Sequence, residues 1–397
     1  MLIIIRDGDK ELSQKTRFIT ELVKPLSNTK FLYVFRKDEE KFKEKWAHNK
    51  IELATSTKAL LIYFFLIMLK SPRDLRDGLL RRLFHKKIEN TFIKEGILSI
   101  ISMAFYQYFG RSARTHRLTS SLRKINLPKI FLIDEFWSIN SVRLKDLIDL
   151  GSIIYVSQDL AYNRFGYGDN LVTRVLMFKL ERDFVIHANL VIASSEMERL
   201  KYLEMGAQKA IFYPNLYLSA DFEPIGKDEM PSISIVLRGR WGPRGEKSLG
   251  KVFRALACLD RQIKVYMIGM KPKEVPKKVL LEHKTFIPSK LDYLKLLSKS
   301  WIGINVGIHK GGANERKYNY AEAGLVVFSD NLGARGDLLP YEYTYVDSHD
   351  LAAKINQLLE FGKTRIIEMG KENRNYTLNF AERKRMDLLR EVSNLMS

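Results

Sequence analysis

Between Leu237 and Leu249 the chain reads RGRWGPRGEKS, with Arg238, Arg240, Arg244 and Lys247 spread around Gly239, Gly242 and Gly245. Guanidinium groups offer forked donors to phosphate oxygens and lysine a mobile point charge, so this composition suits a diphosphate. The plainer alternative is a solvated basic hairpin. A second stretch, GGANERKYNYAEAGLVVFSDN from Gly311 to Asn331, leads two glycines into a short and very polar helical run. Asn314 is a good N-cap, Glu315 to Ala323 reads as the helix, and Gly324 as the left-handed residue past its end. Gly311 and Gly312 let the backbone come close to a ligand where the helix presents its free N–H groups, a natural seat for phosphate oxygens. His309 lies beside this loop, and a lone histidine near a glycine turn is more often structural.

Both glycine stretches have to be positioned by strands. Candidate strands are Leu2–Ile5, Phe31–Phe35, Ile130–Ile133, Ile153–Val156, Leu190–Ala193 and Ala210–Tyr213, followed by Ser232–Leu237, Ile263–Ile268, Thr285–Ile287, Ile302–Val306, Leu325–Ser329 and Thr344–Val346. Amphipathic helical patterns separate them at Lys15–Leu26, Ser195–Met205, Leu249–Leu259, Leu291–Ser300 and Leu351–Phe361. Such alternation implies parallel sheets covered by helices, the doubly wound α/β class. Pro214, Pro224 and Pro231, with a cluster of acids, interrupt the alternation and mark a linker. The expected division is residues 1–216, a linker at 217–230, a second domain at 231–375 and a helical tail at 376–397. Two such domains facing each other across a cleft would place ligands at the carboxyl ends of their strands.

The chain's 397 residues, 46% of them hydrophobic, are ample for two cores. Cys258 stands alone, which removes a disulfide framework and makes a reducing compartment the default. The longest apolar run, Ala59 to Leu69, is short of the ~20 residues that cross a bilayer, so a cytoplasmic protein is expected. Sixty-six Lys and Arg against 46 Asp and Glu give a formal charge of +20, which speaks of anionic partners. In the first domain the excess lies between Lys70 and Lys129, including Arg81, Arg82, Lys86 and Lys87, interleaved with Leu83, Phe84, Phe92, Phe105 and Tyr106. That pattern fits an anionic membrane surface. No recognised nucleic-acid motif accompanies it, so nucleic acid is not the expected partner.

With these residues in view, the chain resembles the GT-B glycosyltransferases, in particular the large group-one, retaining-type family that uses nucleotide sugars. Gly239-Arg240 and Lys247 are similar to the turn that opens that family's nucleotide domain, at a longer spacing. Tyr320-Ala321 and Gly324-Leu325-Val326-Val327 are similar to its A-x-G-x-P-V ending, with Val326 in place of the proline. Asn189, Val191-Ile192, Ser194-Ser195 and Pro214-Asn215 resemble the segment closing its acceptor domain. The likeness covers roughly residues 150 to 375. One departure matters. The family's two glutamates fall here on Gly311 at the sugar and Asn319 at the ribose, leaving Glu315 or Glu322 as substitutes and the stereochemical outcome open.

What the resemblance implies is a metal-independent, hexosyltransferase-type enzyme with no cofactor, moving a sugar from a nucleotide-diphosphate sugar to a glycan or lipid-linked acceptor. Acceptor would bind the first domain and donor the second, at the cytoplasmic or inner membrane face. The 376–397 helix would return to the first domain. The donor phosphates would meet Arg238, Arg240, Arg244, Lys247, Gly311, Gly312 and Asn314, with Glu315, Asn319 and Tyr320 beside the nucleotide and His309 and Glu322 near the sugar. Base candidates at strand ends are Asp159 first, then Asp7 and Asp134, each of which is equally at home as a cap or turn residue. Two rivals share parts of this pattern: a sugar-nucleotide epimerase of the same architecture, and a non-catalytic RNA- or membrane-binding protein.

Overall fold

The structure, a computed structural model, describes residues 2–5, 14–23, 31–35, 49–52, 123, 129–134, 144–157, 160, 171–214, 216, 218–219, 222–237, 242–307 and 315–396. Contacts divide the chain into two compact units. Met1–Ala193, Glu198–Phe212 and Leu388–Ser397 form the first; Ser194–Met197 and Tyr213–Asp387 form the second.

In the first unit, strands β1 (Leu2–Ile5), β2 (Phe31–Phe35), β3 (Asn49–Glu52), β4 (Ile130–Asp134), β5 (Ser152–Val156), β6 (Leu190–Ala193) and β7 (Ala210–Phe212) pair in the order β3-β2-β1-β4-β5-β6-β7. Every pairing is parallel. Helices α1 (Gln14–Val23), α2 (Leu144–Ile148), α3 (Leu171–Val185) and α4 (Glu196–Met205) lie among them in sequence. A parallel sheet is covered on both faces by its crossovers, so its strands read as continuous apolar runs rather than alternating ones. β4 and β6 are buried at every position. The core joins Ile3, Phe131, Tyr155 and Val191 to Phe184 and Tyr202.

The second unit repeats this logic with β8 (Ser232–Leu237), β9 (Ile263–Gly269), β10 (Val279–Lys284), β11 (Ile302–Asn305), β12 (Val326–Asp330) and β13 (Glu342–Tyr345), in the order β10-β9-β8-β11-β12-β13 and parallel throughout. Its helices are α5 (Gly242–Ala257), α6 (Lys290–Ser298), α7 (Glu315–Glu322), α8 (Asn331–Ala334), α9 (Ser348–Glu360) and α10 (Gly362–Met396). Ile235, Val265, Ile304 and Phe328 of the sheet pack with Phe253 and Leu256 of α5 and Leu351 and Ile355 of α9.

The C-terminal helix begins at Gly362 rather than at 376, α3 was not anticipated, and three further elements differ from the sequence reading. The strand expected at Thr285–Ile287 lies earlier, at Val279–Lys284, where Glu282, His283 and Lys284 mask an edge strand that keeps only one buried residue. The helix expected from Leu249 begins at Gly242, so half of the cationic glycine stretch is helix rather than turn, with Pro243 in its first turn, where its missing N–H costs nothing. The polar strand Asn49–Glu52 was not anticipated.

α7 ends as expected and in detail. Gly324 has φ +72°, its N–H bonds the Ala321 carbonyl at 2.9 Å, and the Leu325 N–H bonds the Tyr320 carbonyl at 3.0 Å. These two crossed bonds make a Schellman motif, which turns the chain directly into β12. On another side of α7, the fully buried Lys317 reaches Glu342 at 3.1 Å, Asp337 at 3.2 Å and the Ala334 carbonyl at 3.3 Å. It ties the segment between α8 and β13 to the helix.

Candidate functional site

In the second sheet the strand order reverses between β8 and β11. Such a switch point is where open α/β sheets bind ligands, in the crevice outside the carboxyl ends of the strands. The register there stops early: Ile302, Gly303 and Ile304 pair with Ile233, Ser234 and Ile235, and beyond them the two strands part. Side chains from α7 take over the backbone groups left behind. The Tyr320 hydroxyl accepts the Val236 N–H at 2.8 Å and donates to the Ile304 carbonyl at 3.1 Å. One turn earlier, the Arg316 guanidinium donates to the Val236 carbonyl at 3.0 Å and to the Val306 carbonyl at 2.7 Å. A tyrosine and an arginine at i and i+4 therefore wedge the switch point open, with a permanent positive charge at its floor.

Just past β11, the Gly307 N–H donates to both oxygens of Asp330 at 3.0 and 3.1 Å, and Asp330 also accepts the Gly333 N–H as the cap of α8. Burial pushes the Asp330 carboxyl above its usual range, against the pull of these N–H groups. The chain leaving β11 is thus anchored to the end of β12.

The third face of α7 turns to α6. Lys290 donates to Asn319 and lies 3.2 Å from Glu322, whose other oxygen accepts the Ser219 N–H at 2.6 Å. Glu322 is 2% exposed, and burial raises its pKa although Lys290 draws it down. These contacts explain why so short a helix is so polar: Arg316 and Tyr320 serve the strands, Asn319 and Glu322 serve α6, and Lys317 serves the segment ahead of β13.

The expected ligands are distributed as follows. Asn319 stands half-buried with its carbonyl oxygen on Lys290. Glu315 occupies the first turn of α7, half-buried. Lys247 is exposed on α5, and Arg244 lies in the first turn of that helix. Tyr320, read as a nucleotide contact, is fully buried, with its hydroxyl engaged by two backbone groups. Glu322, read as a sugar contact, is buried against Ser219 and Lys290. Asp134, read as a candidate base, is 1% exposed at the end of β4 and accepts the Thr16 hydroxyl at 2.6 Å, which ties α1 to β4 and leaves little carboxylate surface for a substrate. Arg238, Arg240, His309, Gly311, Gly312, Asn314, Asp7, Asp159, Arg81, Arg82, Lys86 and Lys87 lie outside the described residues.

Arg316 was missed. Its signal was a cation in the first turn of a helix, where the helix dipole disfavours positive charge.

In the first unit, the carboxyl end of β5 rests on a buried polar cluster. Glu181, fully buried, accepts the Tyr155 and Tyr202 hydroxyls, each at 2.9 Å, and the Tyr202 oxygen lies 2.6 Å from the Ser157 hydroxyl. Burial, reinforced by the Glu181 charge, holds both tyrosines well above the usual phenol range. Glu198, also fully buried, accepts the Leu160 N–H at 3.1 Å. Ser157 and Leu160, the residues flanking Gln158 and Asp159, are thereby fixed from below.

No protein-family model matches the chain, and no curated protein sequence does. Solved structures do match its fold. A trehalose-phosphate synthase (UDP-forming) from Burkholderia vietnamiensis aligns over 99% of both chains at a TM-score of 0.62 and 11% identity. A sucrose-phosphate synthase from Thermosynechococcus elongatus aligns over 99% of this chain and 98% of its own, with a TM-score of 0.58 and 13% identity. The chain has the GT-B fold. The Anabaena protein HepE, solved in complex with UDP, shares this GT-B fold over 99% of this chain and 98% of its own at a TM-score of 0.55 and 11% identity. At such identities the likeness is one of architecture, and site residues in a GT-B chain have to be argued from the chain itself.

Proposed function

We propose that this protein is a glycosyltransferase of the hexosyltransferase type that takes its donor from a nucleotide-diphosphate sugar and transfers the sugar to a glycan or lipid-linked acceptor. The observation that carries the reading is the switch point of the second sheet, where β8 and β11 part over Arg316 and Tyr320 and lead into two glycine-bearing segments. The GT-B fold supports it, since solved proteins of that architecture include a UDP-forming synthase and a UDP complex.

In the proposed reaction the bond between the anomeric carbon and the diphosphate oxygen breaks, and an acceptor hydroxyl oxygen bonds to that carbon. Its proton passes to a base, for which Asp159 is our candidate. The departing diphosphate carries the bond's electron pair, and Arg240, Lys247 and the N–H groups after Gly311 and Gly312 would neutralise it in place of a metal ion. The basic stretch around Arg81, Arg82, Lys86 and Lys87 would hold the enzyme at an anionic membrane surface on the cytoplasmic side. Among the described residues no helix is long and apolar enough to cross a membrane.

The test is calorimetric titration of the protein with UDP, GDP, ADP and TDP in EDTA at moderate salt. Binding of one nucleotide is the expected result; binding of none rejects the donor assignment.

A further inference from the structure

We infer that Arg316 is a ligand of the donor diphosphate as well as part of the wedge that holds β8 and β11 apart. The inference rests on the donor reading above and adds a cation that lies in neither glycine segment.

The argument begins with where the charge sits. Arg316 is in the first turn of α7, half-buried, at the end of the helix where a cation is electrostatically misplaced. Among the described residues no carboxylate forms an ion pair with it. The nearby carboxylate that feels its field is Asp330, whose oxygens already accept the Gly307 and Gly333 N–H groups. The guanidinium is held instead by two neutral carbonyls, Val236 in β8 and Val306 just past the end of β11. A guanidinium has more N–H donors than two carbonyls use, and the fork leaves the rest to point elsewhere.

A hydrophobic or neutral side chain could have spaced the strands without burying charge. Tyr320, one turn further on, does so with a hydroxyl. The charge at position 316 is therefore unexplained by the wedge alone. It is explained by an anion arriving at the crevice floor. Two positive features then converge there: the guanidinium and the N-terminal end of the α7 dipole. The anion that fits is a diphosphate, because bidentate arginine recognition selects phosphate oxygens and because the crevice lies at the switch point of a nucleotide-type sheet.

The test compares the full-length wild type with Arg316→Gln and Arg316→Lys. Gln can still donate to one strand carbonyl but carries no charge; Lys keeps the charge and loses the fork. Each protein is titrated with UDP, GDP, ADP and TDP, and then with the nucleoside of whichever diphosphate the wild type binds. Arg316→Gln is expected to weaken diphosphate binding tenfold or more, to leave nucleoside binding within twofold, and to flatten the dependence of affinity on salt. Arg316→Lys is expected to lose several-fold on the diphosphate alone, and it decides the matter if the Gln variant does not fold. Unchanged diphosphate affinity in the variants, or equal losses for diphosphate and nucleoside, would overturn the inference and leave the donor reading standing. A wild type that binds none of the four nucleotides removes both.

Discussion

A β-carbon on Gly303 would stand 2.4 Å from Cγ of Tyr320, so the ring lies directly on the β11 backbone in space that only a glycine leaves open. The wedge in the switch point depends on this pairing. Gly303→Ala is expected to lower stability by about 1–3 kcal/mol through overpacking. Tyr320→Phe keeps the ring, strands the Val236 N–H and the Ile304 carbonyl, and should cost about 1–3 kcal/mol. Urea unfolding of the two variants checks both figures. A stable Gly303→Ala protein would show that the ring moves freely.

Lys317 offers a sharper loss. It is fully buried between Glu342 and Asp337, and Lys317→Met would leave two carboxylates without their cation. Removing one partner from a buried pair costs about 3–5 kcal/mol, and the expected result is a protein that melts well below the wild type.

The same cluster sets a pH dependence. Although Asp337 is 3.2 Å from Lys317, its pKa is raised from 3.8 to about 6, because burial outweighs a lysine shared with Glu342. A group raised in the folded state contributes stability that is complete below its unfolded pKa and lost as pH rises through the folded value. Between pH 3.8 and about 6 the wild type should therefore lose stability relative to Asp337→Asn. Parallel thermal melts across that window test the sign.

Lys227 should act in the opposite direction. It is half-buried, donates to the Ala323 carbonyl at 3.3 Å, and burial lowers its pKa from 10.5 to about 7. Its contribution is present above the unfolded pKa and lost as pH falls through about 7. Melting temperatures of wild type and Lys227→Met, taken from pH 7 to pH 9, should converge as pH rises. Parallel curves would mean that the amine finds water.

In the first unit, Glu198→Ala should leave the Leu160 N–H buried without its acceptor and cost about 1–3 kcal/mol, with Glu198→Gln restoring most of it. If Asp159 is the base, the Ala variant should lose kcat more than KM, because the segment flanked by Ser157 and Leu160 is what it loosens.

Membrane attachment is tested separately. Replacing Arg81, Arg82, Lys86 and Lys87 by Ala is expected to reduce co-sedimentation with anionic liposomes. Equal sedimentation would reject the attachment.

The strands were legible in the sequence because parallel strands are written as short apolar runs, and most bounds fell within a residue or two. The exceptions have physical causes. Val279–Lys284 is half charged because it is an edge strand, and the Gly242 start of α5 was hidden by glycines and a proline that normally mark turns. At the site, Gly324 could be read from its type alone, since a left-handed position favours glycine. Arg316 could not. Its partners are backbone carbonyls in β8 and just past β11, both separated from it in sequence, and no side-chain pattern announces a carbonyl that a neighbouring strand has stopped pairing. Tyr320 and Glu322 read as ligand contacts from their position in a motif, and the structure adds the Tyr320 ring over Gly303 and the Glu322 carboxylate beside Lys290, contacts that a linear reading does not contain.

The edge strand has a consequence of its own. Among the described residues β10 ends the second sheet with no strand on its outer side, and Leu280 on it is 45% exposed. That is a template for strand addition by another chain. Glu282 and Lys284, which obscured the strand in the sequence, are the residues that make such an encounter unfavourable, because an added strand would have to strip water from both charges. Exchanging both for valine would leave an apolar edge, and the expected consequence is self-association through β10.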